Sequence, residues 1–313
     1  MKDATAAAGL SLALGRCDEM RAELLVQAVA TAGGAPRLSG TLTGPRRGRD
    51  TTLPVTARLQ PAPSAGACRV VLTEPAYWTP ELPNLYRLQA TIDRDDTPPA
   101  AIDRLVGLRR LGIRGRSLWL DGRRWVPRGV AAGAPDLAAC KAACVAAIVT
   151  DPDDATLARA DEIGVAVIAL AAVSAAEEPV TITDRIAAWA AHPSAVVALL
   201  PAETPAATAA RIAAAVRPRK DSLLLALTVS GTAPPPAPPP GIDVLVVALD
   251  ADATPHAAWR TGAAVPLIAG RRARSVAGID RAPCDALQAA LAAWGTAGGR
   301  EPLAWDWAGY LVG

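Results

Sequence analysis

The sequence predicts two domains, an antiparallel β-sandwich over residues 1–112 and a small (β/α)8 barrel over residues 113–313. Three observations predict this fold class. A length of 313 residues suits about two domains. The first third alternates apolar and polar residues between Gly-, Pro- and Asp-rich turns, as half-buried antiparallel strands do. The remainder alternates short apolar runs with helical stretches, which is typical of βα units around a parallel sheet.

Four segments of the first domain show the period-two alternation of strands, and two aromatic residues mark its corner. Trp78 and Tyr86 flank a Pro-rich stretch, where we expect them to pack the end of the sandwich. Ala6–Leu14 lacks a basic region beyond Lys2 and a clear cleavage site, which favours a first strand region over a signal peptide. The predicted strands are Ala22–Ala30, Leu53–Leu59, Cys68–Leu72 and Leu85–Ile92.

Eight short apolar runs with interleaved helical stretches favour a (β/α)8 barrel of about 200 residues, a size that requires short loops. Asp153 and Thr204 stand where the N-caps of two helices are expected. The predicted strands are Trp125–Val130, Ala146–Thr150, Val165–Leu170, Ala195–Leu200, Leu223–Val229, Val244–Leu249, Val265–Ala269 and Pro302–Trp307. The predicted helices include Asp136–Cys144, Asp153–Ile163, Thr183–Ala191, Thr204–Val216 and Cys284–Trp294.

The stretch Ala233–Pro240 contains runs of proline and cannot be helical. It therefore replaces one of the expected helices by an extended connector. A stiff surface loop is the favoured interpretation of this stretch. A ligand for a proline-recognition module is the alternative.

The composition bears on several classes of function. A net charge of +2, with both signs mixed along the chain, gives no footprint for nucleic acid or an anionic membrane surface. No apolar run reaches the length of a membrane span. Glycine-rich phosphate loops are also missing, so no cofactor is expected.

The five cysteines are dispersed along the chain, which favours a reducing compartment and hence a cytoplasmic location. Cys140 and Cys144 are four residues apart and are expected to share one helix face. Because no His or further Cys lies near them in the sequence, we expect buried thiols rather than a metal site.

Three motifs at the join between the domains carry a resemblance. Tyr77–Tyr86 reads Tyr-Trp-Thr-Pro-Glu-Leu-Pro-Asn-Leu-Tyr, Val106–Arg110 reads Val-Gly-Leu-Arg-Arg, and Leu120–Val130 reads Leu-Asp-Gly-Arg-Arg-Trp-Val-Pro-Arg-Gly-Val. In this order and spacing they resemble the join between the immunoglobulin-like domain and the catalytic barrel of glycoside hydrolase family 2. That family contains β-galactosidases, β-glucuronidases and β-mannosidases. The resemblance implies an all-β immunoglobulin-like sandwich followed by an α/β (β/α)8 TIM barrel of reduced size.

The resemblance places one catalytic carboxylate. A retaining glycosidase needs two carboxylates about 5–5.5 Å apart, one as acid/base and one as nucleophile. The segment from Ala191 to Glu203 resembles the family segment in which Asn-His-Pro-Ser opens the fourth strand and Asn-Glu closes it. This match implies the acid/base position for Glu203. Ala191 and Ala202 replace the two asparagines, the second of which contacts the sugar 2-hydroxyl in the family. Taken by itself, Glu203 is also a favourable helix-start carboxylate.

The other groups that the family uses on the sugar are missing. The nucleophile is expected after the seventh run, where Gly270 or Arg271 stands instead. The ends of the first, second, third and sixth runs have also lost most of the family's polar residues. The eighth run keeps a Trp-rich ending, in which Trp305 and Trp307 are candidates for a sugar-stacking platform, with packing as the alternative.

The sequence therefore predicts a degenerate glycosidase barrel without hydrolytic activity, acting as a structural or interaction subunit or a weak carbohydrate binder. The expected partners are a carbohydrate or a protein in a larger assembly. The alternative is an active glycosidase with Glu203 as general acid and a relocated base. Inverting geometry tolerates a wider separation of the two carboxylates. The candidate bases are Asp250, Asp252, Asp280 and Asp306.

Overall fold

A computed structural model describes residues 10–28, 36–48, 50–94, 97–131, 136–173, 178–217, 223–272, 278–297 and 301–313. At residues 50–52 it describes the backbone and not the side chains. The predicted fold class is confirmed, since antiparallel sheets are followed by a closed parallel barrel.

The first domain is a sandwich of two four-stranded antiparallel sheets. Strand residues that point between the sheets form its core, in which Val26, Leu42 and Leu88 are completely buried. The first sheet has the order β1 (Leu10–Cys17), β2 (Arg21–Ala28), β6 (Ala67–Thr73) and β5 (Gln60–Pro61). The second has the order β4 (Asp50–Arg58), β3 (Arg37–Arg47), β7 (Leu85–Arg94) and β8 (Thr97–Val106).

The four predicted sandwich strands correspond to β2, β4, β6 and β7, with residues 29 and 30 outside the described part. The strands β3 and β8 were missed because glycine and proline interrupt their alternation. A Cβ on Gly40 would lie 2.2 Å from the Gln89 carbonyl oxygen, so glycine permits close pairing there. Pro45 lies at an irregularity in the pairing of β3, and Pro98 and Pro99 lie on the edge strand β8.

The second domain is a closed barrel of eight parallel strands in chain order. Three predicted strands, Ala146–Thr150, Ala195–Leu200 and Val244–Leu249, have the predicted bounds. These are continuous apolar runs, as expected for strands buried on both faces. The barrel strands are β12 (Arg128–Ala131), β13 (Ala146–Thr150), β14 (Val167–Leu170), β15 (Ala195–Leu200), β16 (Leu224–Ser230), β17 (Val244–Leu249), β18 (Leu267–Arg271) and β19 (Gly309–Val312).

Helices follow most of these strands on the outside of the barrel. The predicted connector is confirmed: between β16 and β17 the described chain forms no helix over Ala233–Pro240. A 3₁₀ helix, Ala257–Thr261, follows β17. The α-helices are α1 (Leu137–Ala142), α2 (Asp154–Ile163), α3 (Pro179–Ala190), α4 (Ala206–Val216) and α5 (Ala282–Thr296).

Two local predictions are wrong. Of the two predicted N-caps, Asp153 is confirmed, since it caps α2 by accepting from the Thr156 amide at 2.8 Å. Thr204 is not a cap: Pro205 precedes α4, and the Thr204 hydroxyl has no hydrogen-bond partner among the described residues. Helix α1 ends at Ala142, and Cys144 beyond it has a φ of 53° and is exposed, so it does not share a helix face with the buried Cys140.

The eighth strand was also predicted in the wrong place. The strand is Gly309–Val312, so it begins after both tryptophans, whereas the predicted strand contained them. The Trp-rich segment has the residue types of a strand, but its indoles pack against other elements. Trp305 donates to the Arg260 carbonyl at 2.9 Å and meets Trp307 edge to face, with 4.9 Å between ring centroids. The segment is therefore the lead-in to the strand, at the N-terminal end of the barrel.

A small three-stranded sheet joins the domains and closes the N-terminal end of the barrel. Its strands are β9 (Leu111–Arg114), β10 (Ser117–Leu120) and β11 (Arg123–Trp125). Leu118 on β10 is completely buried in one cluster with Ala146, Leu224 and Val244, the first residues of three barrel strands. This sheet fills the barrel end opposite the mouth at which such folds place their chemistry. The predicted domain boundary after residue 112 falls within β9.

Direct contacts fix the sandwich against the barrel. Tyr86 joins the sandwich core as expected, whereas Trp78 donates its indole N–H to the carbonyl of Asp161 on α2, at 2.9 Å. The buried guanidinium of Arg109 donates to the carbonyl of Pro193. A Cβ added to Gly107 would lie 2.3 Å from Cγ of the same proline, so only glycine fits at this contact.

We expect Leu118→Ala to destabilise the protein by about 2–5 kcal/mol, because it leaves a cavity at the closed end of the barrel. Urea unfolding measures the change. Leu53→Ala is the control, since Leu53 is 90% exposed, and it should change the free energy of unfolding by less than about 0.5 kcal/mol. Equal effects of the two substitutions would contradict the closure assigned to the small sheet.

We expect Gly107→Ala to cost about 1–3 kcal/mol, because the rigid Pro193 ring cannot move away from the added methyl without shifting the domains. The matched control is Gly112→Ala on β9, where a Cβ meets nothing within 4 Å. Thermal unfolding of both variants compares them. A Gly107→Ala variant as stable as the control would show that the junction tolerates displacement.

Candidate functional site

The C-terminal mouth of the barrel is the place to look for chemistry, because side chains from several strand ends converge there. Alternation identifies which of them point inward: Leu170 and Leu199 belong to the interior cluster, and Gly270 faces Val246. Three hydroxyls, of Thr150, Thr228 and Ser230, are the polar groups at these positions, and within the described strand ends no inward position carries a carboxylate, amide or imidazole. The inward-facing residues near the C-terminal ends of the strands are Ala131, Thr150, Leu170, Leu199, Thr228, Ser230, Ala248, Gly270 and Leu311.

Glu203 lies at this mouth, in the turn between β15 and α4. It is exposed and forms no hydrogen bond or ion pair with another described residue. Ala202 beside it is exposed as well, so no amide stands where the family resemblance implies a contact to the sugar. The structure thus places Glu203 at the correct end of the barrel, without the neighbours that would orient it. Its role as acid/base stays a prediction.

At the end of β18, where the family resemblance implies a nucleophile, glycine and arginine stand. A Cβ on Gly270 would lie 3.1 Å from Cγ1 of Val246, a tight contact inside the barrel. Arg271 donates to the Ala253 carbonyl at 3.5 Å, on the outer side of the strand. Neither residue can attack an anomeric carbon.

The candidate relocated bases are divided between the two ends of the barrel. Asp250 and Asp252 follow β17 at the mouth, and both are exposed; Asp250 lies 3.7 Å from Arg272. Asp280 accepts from the Ala282 amide at 3.1 Å, at the start of α5. Asp306 pairs with Arg124 of the small sheet at 3.0 Å, so it belongs to the closed end and cannot act together with Glu203.

The two tryptophans also belong to the closed end. Trp305 and Trp307 are buried, and the Trp307 indole N–H has no hydrogen-bond partner among the described residues. A sugar held at the C-terminal mouth would not reach them. The premise that they end a barrel strand is wrong, and their role as a platform stays a prediction.

Residues with strongly shifted pKa values lie at the domain junction. His192 is buried and bridges two carboxylates of α2: its Nδ1 lies 2.7 Å from Asp161 and its Nε2 lies 3.0 Å from Asp154. The other oxygen of Asp161 accepts from the Ser194 amide at 2.8 Å. Burial alone would lower the pKa of His192, but the hydrogen bonds that the ring donates to both carboxylates outweigh it and raise the pKa to about 9. His192 is therefore a cation at neutral pH.

Two arginines complete this cluster. Burial lowers the pKa of Arg109 to about 9, against the attraction of Asp161, so the guanidinium still carries its charge at neutral pH. Burial also lowers the pKa of Arg104, and the negative charges of Asp154 and Asp161 oppose this shift. The cluster was missed in the sequence, although Asp154 and Asp161 are seven residues apart and lie on one helix face. All these groups are engaged with one another, which indicates a structural role.

Other kinds of site find no support in the part of the chain that the structure describes. It contains no group of three or more His, Cys, Asp or Glu side chains that could hold a metal ion. None of its helices is long and apolar enough to cross a membrane. The rim of the mouth does carry one ion pair that sequence reasoning missed, Asp151 with Arg185 at 3.1 Å.

We expect the free energy of unfolding to fall as the pH rises from about 6.5 towards 9. The folded pKa of His192 is raised from 6.5 to about 9, so its contribution is complete below 6.5 and is lost as the imidazole deprotonates. The loss amounts to about 3 kcal/mol over this range. Urea unfolding at a series of pH values measures it.

His192→Gln should be less stable at pH 6.5 and should lose this pH dependence. His256→Asn is the matched control: it changes the other histidine, an exposed residue that accepts from the Ala258 amide, and should keep the wild-type slope. Because unfolded cysteines titrate near pH 8.5, the difference between the variants, rather than the wild-type slope alone, isolates His192. Parallel curves for the wild type and His192→Gln would contradict a charged His192.

The chain is similar to known proteins in the sequence of its first domain and in its fold. Residues 16–109 match the sequence model of the family described as Glycosyl hydrolases family 2. No curated protein matches the chain in sequence. The structure of β-D-glucuronidase from Dictyoglomus thermophilum is similar, with 14% identity and a TM-score of 0.67; the match covers 97% of this chain and 61% of that chain.

Two further β-glucuronidases have the same fold. The Ruminococcus gnavus enzyme has 13% identity and a TM-score of 0.65, covering 97% of this chain and 60% of that chain. Bacteroides uniformis β-glucuronidase 2, solved covalently bound to cyclophellitol-6-carboxylate aziridine, has 14% identity and a TM-score of 0.62, covering 97% and 45%. This chain therefore spans about three-fifths or less of the length of these relatives. The predicted resemblance is confirmed: the chain is similar to glycoside hydrolase family 2, in sequence over its immunoglobulin-like sandwich and in fold over the sandwich and the TIM barrel together.

Proposed function

We propose that the protein is a barrel of the glycoside hydrolase family 2 type without hydrolytic activity, which serves as a structural or interaction subunit. The observation that carries this proposal is the chemistry of the inward-facing strand ends, where alanine, leucine, threonine, serine and glycine stand and no carboxylate does. Glycoside hydrolysis requires one carboxylate to protonate the leaving oxygen and a second to attack or to activate water. Gly270, at the nucleophile position, can do neither.

The replacement is selective, and this selectivity supports loss of activity over general drift. Contacts that fix the sandwich on the barrel, such as those of Trp78, Gly107 and Arg109, are intact. Groups that would hold a sugar in the family are replaced by apolar residues. A weak carbohydrate-binding role is less favoured, because stacking needs an aromatic face and the inward strand ends in the described structure offer none.

An active glycosidase is the second candidate, and the exposure of Glu203 and Asp250 at the same mouth favours it. The two residues follow β15 and β17, which are separated by β16, so the strands from which they extend lie about 9–10 Å apart. Such a spacing suits inverting rather than retaining hydrolysis. Against this candidate, Asp250 faces the cation of Arg272 and no polar group holds Glu203 in place.

We expect no hydrolysis of 4-nitrophenyl β-D-glucuronide, β-D-galactoside or β-D-mannoside beyond the rate of the Glu203→Gln variant. A working general acid would make this variant slower than the wild type by about 10²-fold or more. Release of 4-nitrophenol measures the rates. Glu301→Gln is the control, an exposed carboxylate at the closed end of the barrel. A wild-type rate that falls with Glu203→Gln and not with Glu301→Gln would establish the active alternative.

A further inference from the structure

The connector between β16 and β17 has an unusual chemistry for the wall of a barrel. Residues Ala233–Pro240, here called the proline strip, contain six prolines and two alanines. Proline fixes φ near −65° and has no N–H, so consecutive prolines adopt the polyproline II helix, with three residues per turn. The strip occupies the outer surface where a helix is expected in a (β/α)8 barrel.

The exposure of the strip follows this three-residue period. Pro234, Ala237 and Pro240 are all exposed and form one outward ridge. Pro235 and Pro238 are half-buried and form the ridge that faces the barrel. The same inward ridge continues to Gly241, whose Cβ would lie 2.9 Å from Cβ of Ala213 on α4.

The remaining ridge is exposed in its first part. Ala233 and Pro236 are open to solvent, whereas Pro239 is buried. Residues 233–237 therefore present two adjacent ridges to solvent and one to the protein. This is the presentation that grooves for proline-rich peptides require, because they grip two ridges of the polyproline II helix and leave the third outside.

The strip is held in this conformation before any partner arrives. At its start, the buried indole of Trp259 donates to the Ala233 carbonyl at 2.8 Å. At its end, the amide of Ile242 donates to the Pro239 carbonyl at 3.2 Å. The carbonyls of residues 234–238 accept no hydrogen bond from the described part of the protein. A binding partner thus finds an ordered ligand with open acceptors, which lowers the entropy cost of association.

We propose that the proline strip is a docking segment for a protein module that binds polyproline II helices in an aromatic-lined groove. Aromatic rings of the module stack on the ridges of Ala233–Pro234 and Pro236–Ala237, and N–H or O–H donors beside them bind the open carbonyls. The strip has no charged residue, so the module it fits requires no acidic or basic anchor. This docking is independent of the barrel mouth and of hydrolysis.

The experiment is isothermal titration of the full chain into three modules that bind proline-rich ligands: an SH3 domain, a WW domain and profilin. We expect binding to at least one of them, displaced by free decaproline. The double variant Pro234→Glu and Ala237→Glu, which places charges on the outward ridge, should bind at least about tenfold more weakly. The matched control is Pro63→Glu with Ala65→Glu, an exposed proline and alanine in a sandwich loop, which should bind as the wild type does.

Three results would overturn the proposal. They are no heat of binding to any of the three modules at millimolar concentration, binding that decaproline does not displace, or equal affinity of the strip variant and the control. Both double variants change exposed side chains, and their far-ultraviolet circular dichroism should match the wild type. If the strip variant fails to fold, displacement of the wild-type complex by decaproline decides the question by itself.

Discussion

The buried carboxylate of Asp161 is the interaction on which the arrangement of both domains depends. Its oxygens accept from His192 and from the Ser194 amide, and its backbone carbonyl accepts from Trp78 of the sandwich. Burying a carboxylate without partners would cost several kcal/mol, so removing any one of these donors is unfavourable for the fold. Ser194 immediately precedes β15, and hence the same group sets the position of the fourth barrel strand. One buried carboxylate therefore contributes both to the orientation of the sandwich and to the position of β15.

The sequence predicted the elements whose hydrophobic period is uninterrupted. Continuous apolar runs located β13, β15 and β17 with their bounds, and the Asp153 cap located the start of α2. The prediction failed where another constraint outweighed the hydrophobic period. Glycine and proline concealed β3 and β8, because close pairing and edge positions tolerate them. The Trp-rich segment before β19 has strand propensity, but side-chain packing at the closed end of the barrel governs its conformation.

The candidate site was predictable to a different extent. The family resemblance placed Glu203 at the mouth, and it also implied that glycine or arginine stands where a nucleophile is expected, at Gly270 and Arg271. The end of the barrel at which Trp305, Trp307 and Asp306 lie was not predictable, because it depends on where the eighth strand begins. The His192 cluster needed the fold as well: its members come from β8, the segment after β8, α2 and the turn before β15, and no local pattern links them. Long-range electrostatics among residues that are far apart in sequence leaves no periodic signal.

The two ends of the barrel have been shaped by opposite requirements. At the N-terminal end, the small sheet and the sandwich bury Leu118, Trp78 and Arg109, and any change there disturbs the packing of two domains. At the C-terminal mouth, polar groups held for catalysis would reduce stability, so alanine and leucine at the strand ends favour the fold. The proline strip belongs to neither end. It is anchored to the wall of the barrel through Trp259 and the approach of Gly241 to α4, so its presentation does not depend on the residues of the mouth. The wall of the barrel can therefore present a rigid, exposed proline strip whatever the chemistry of the mouth.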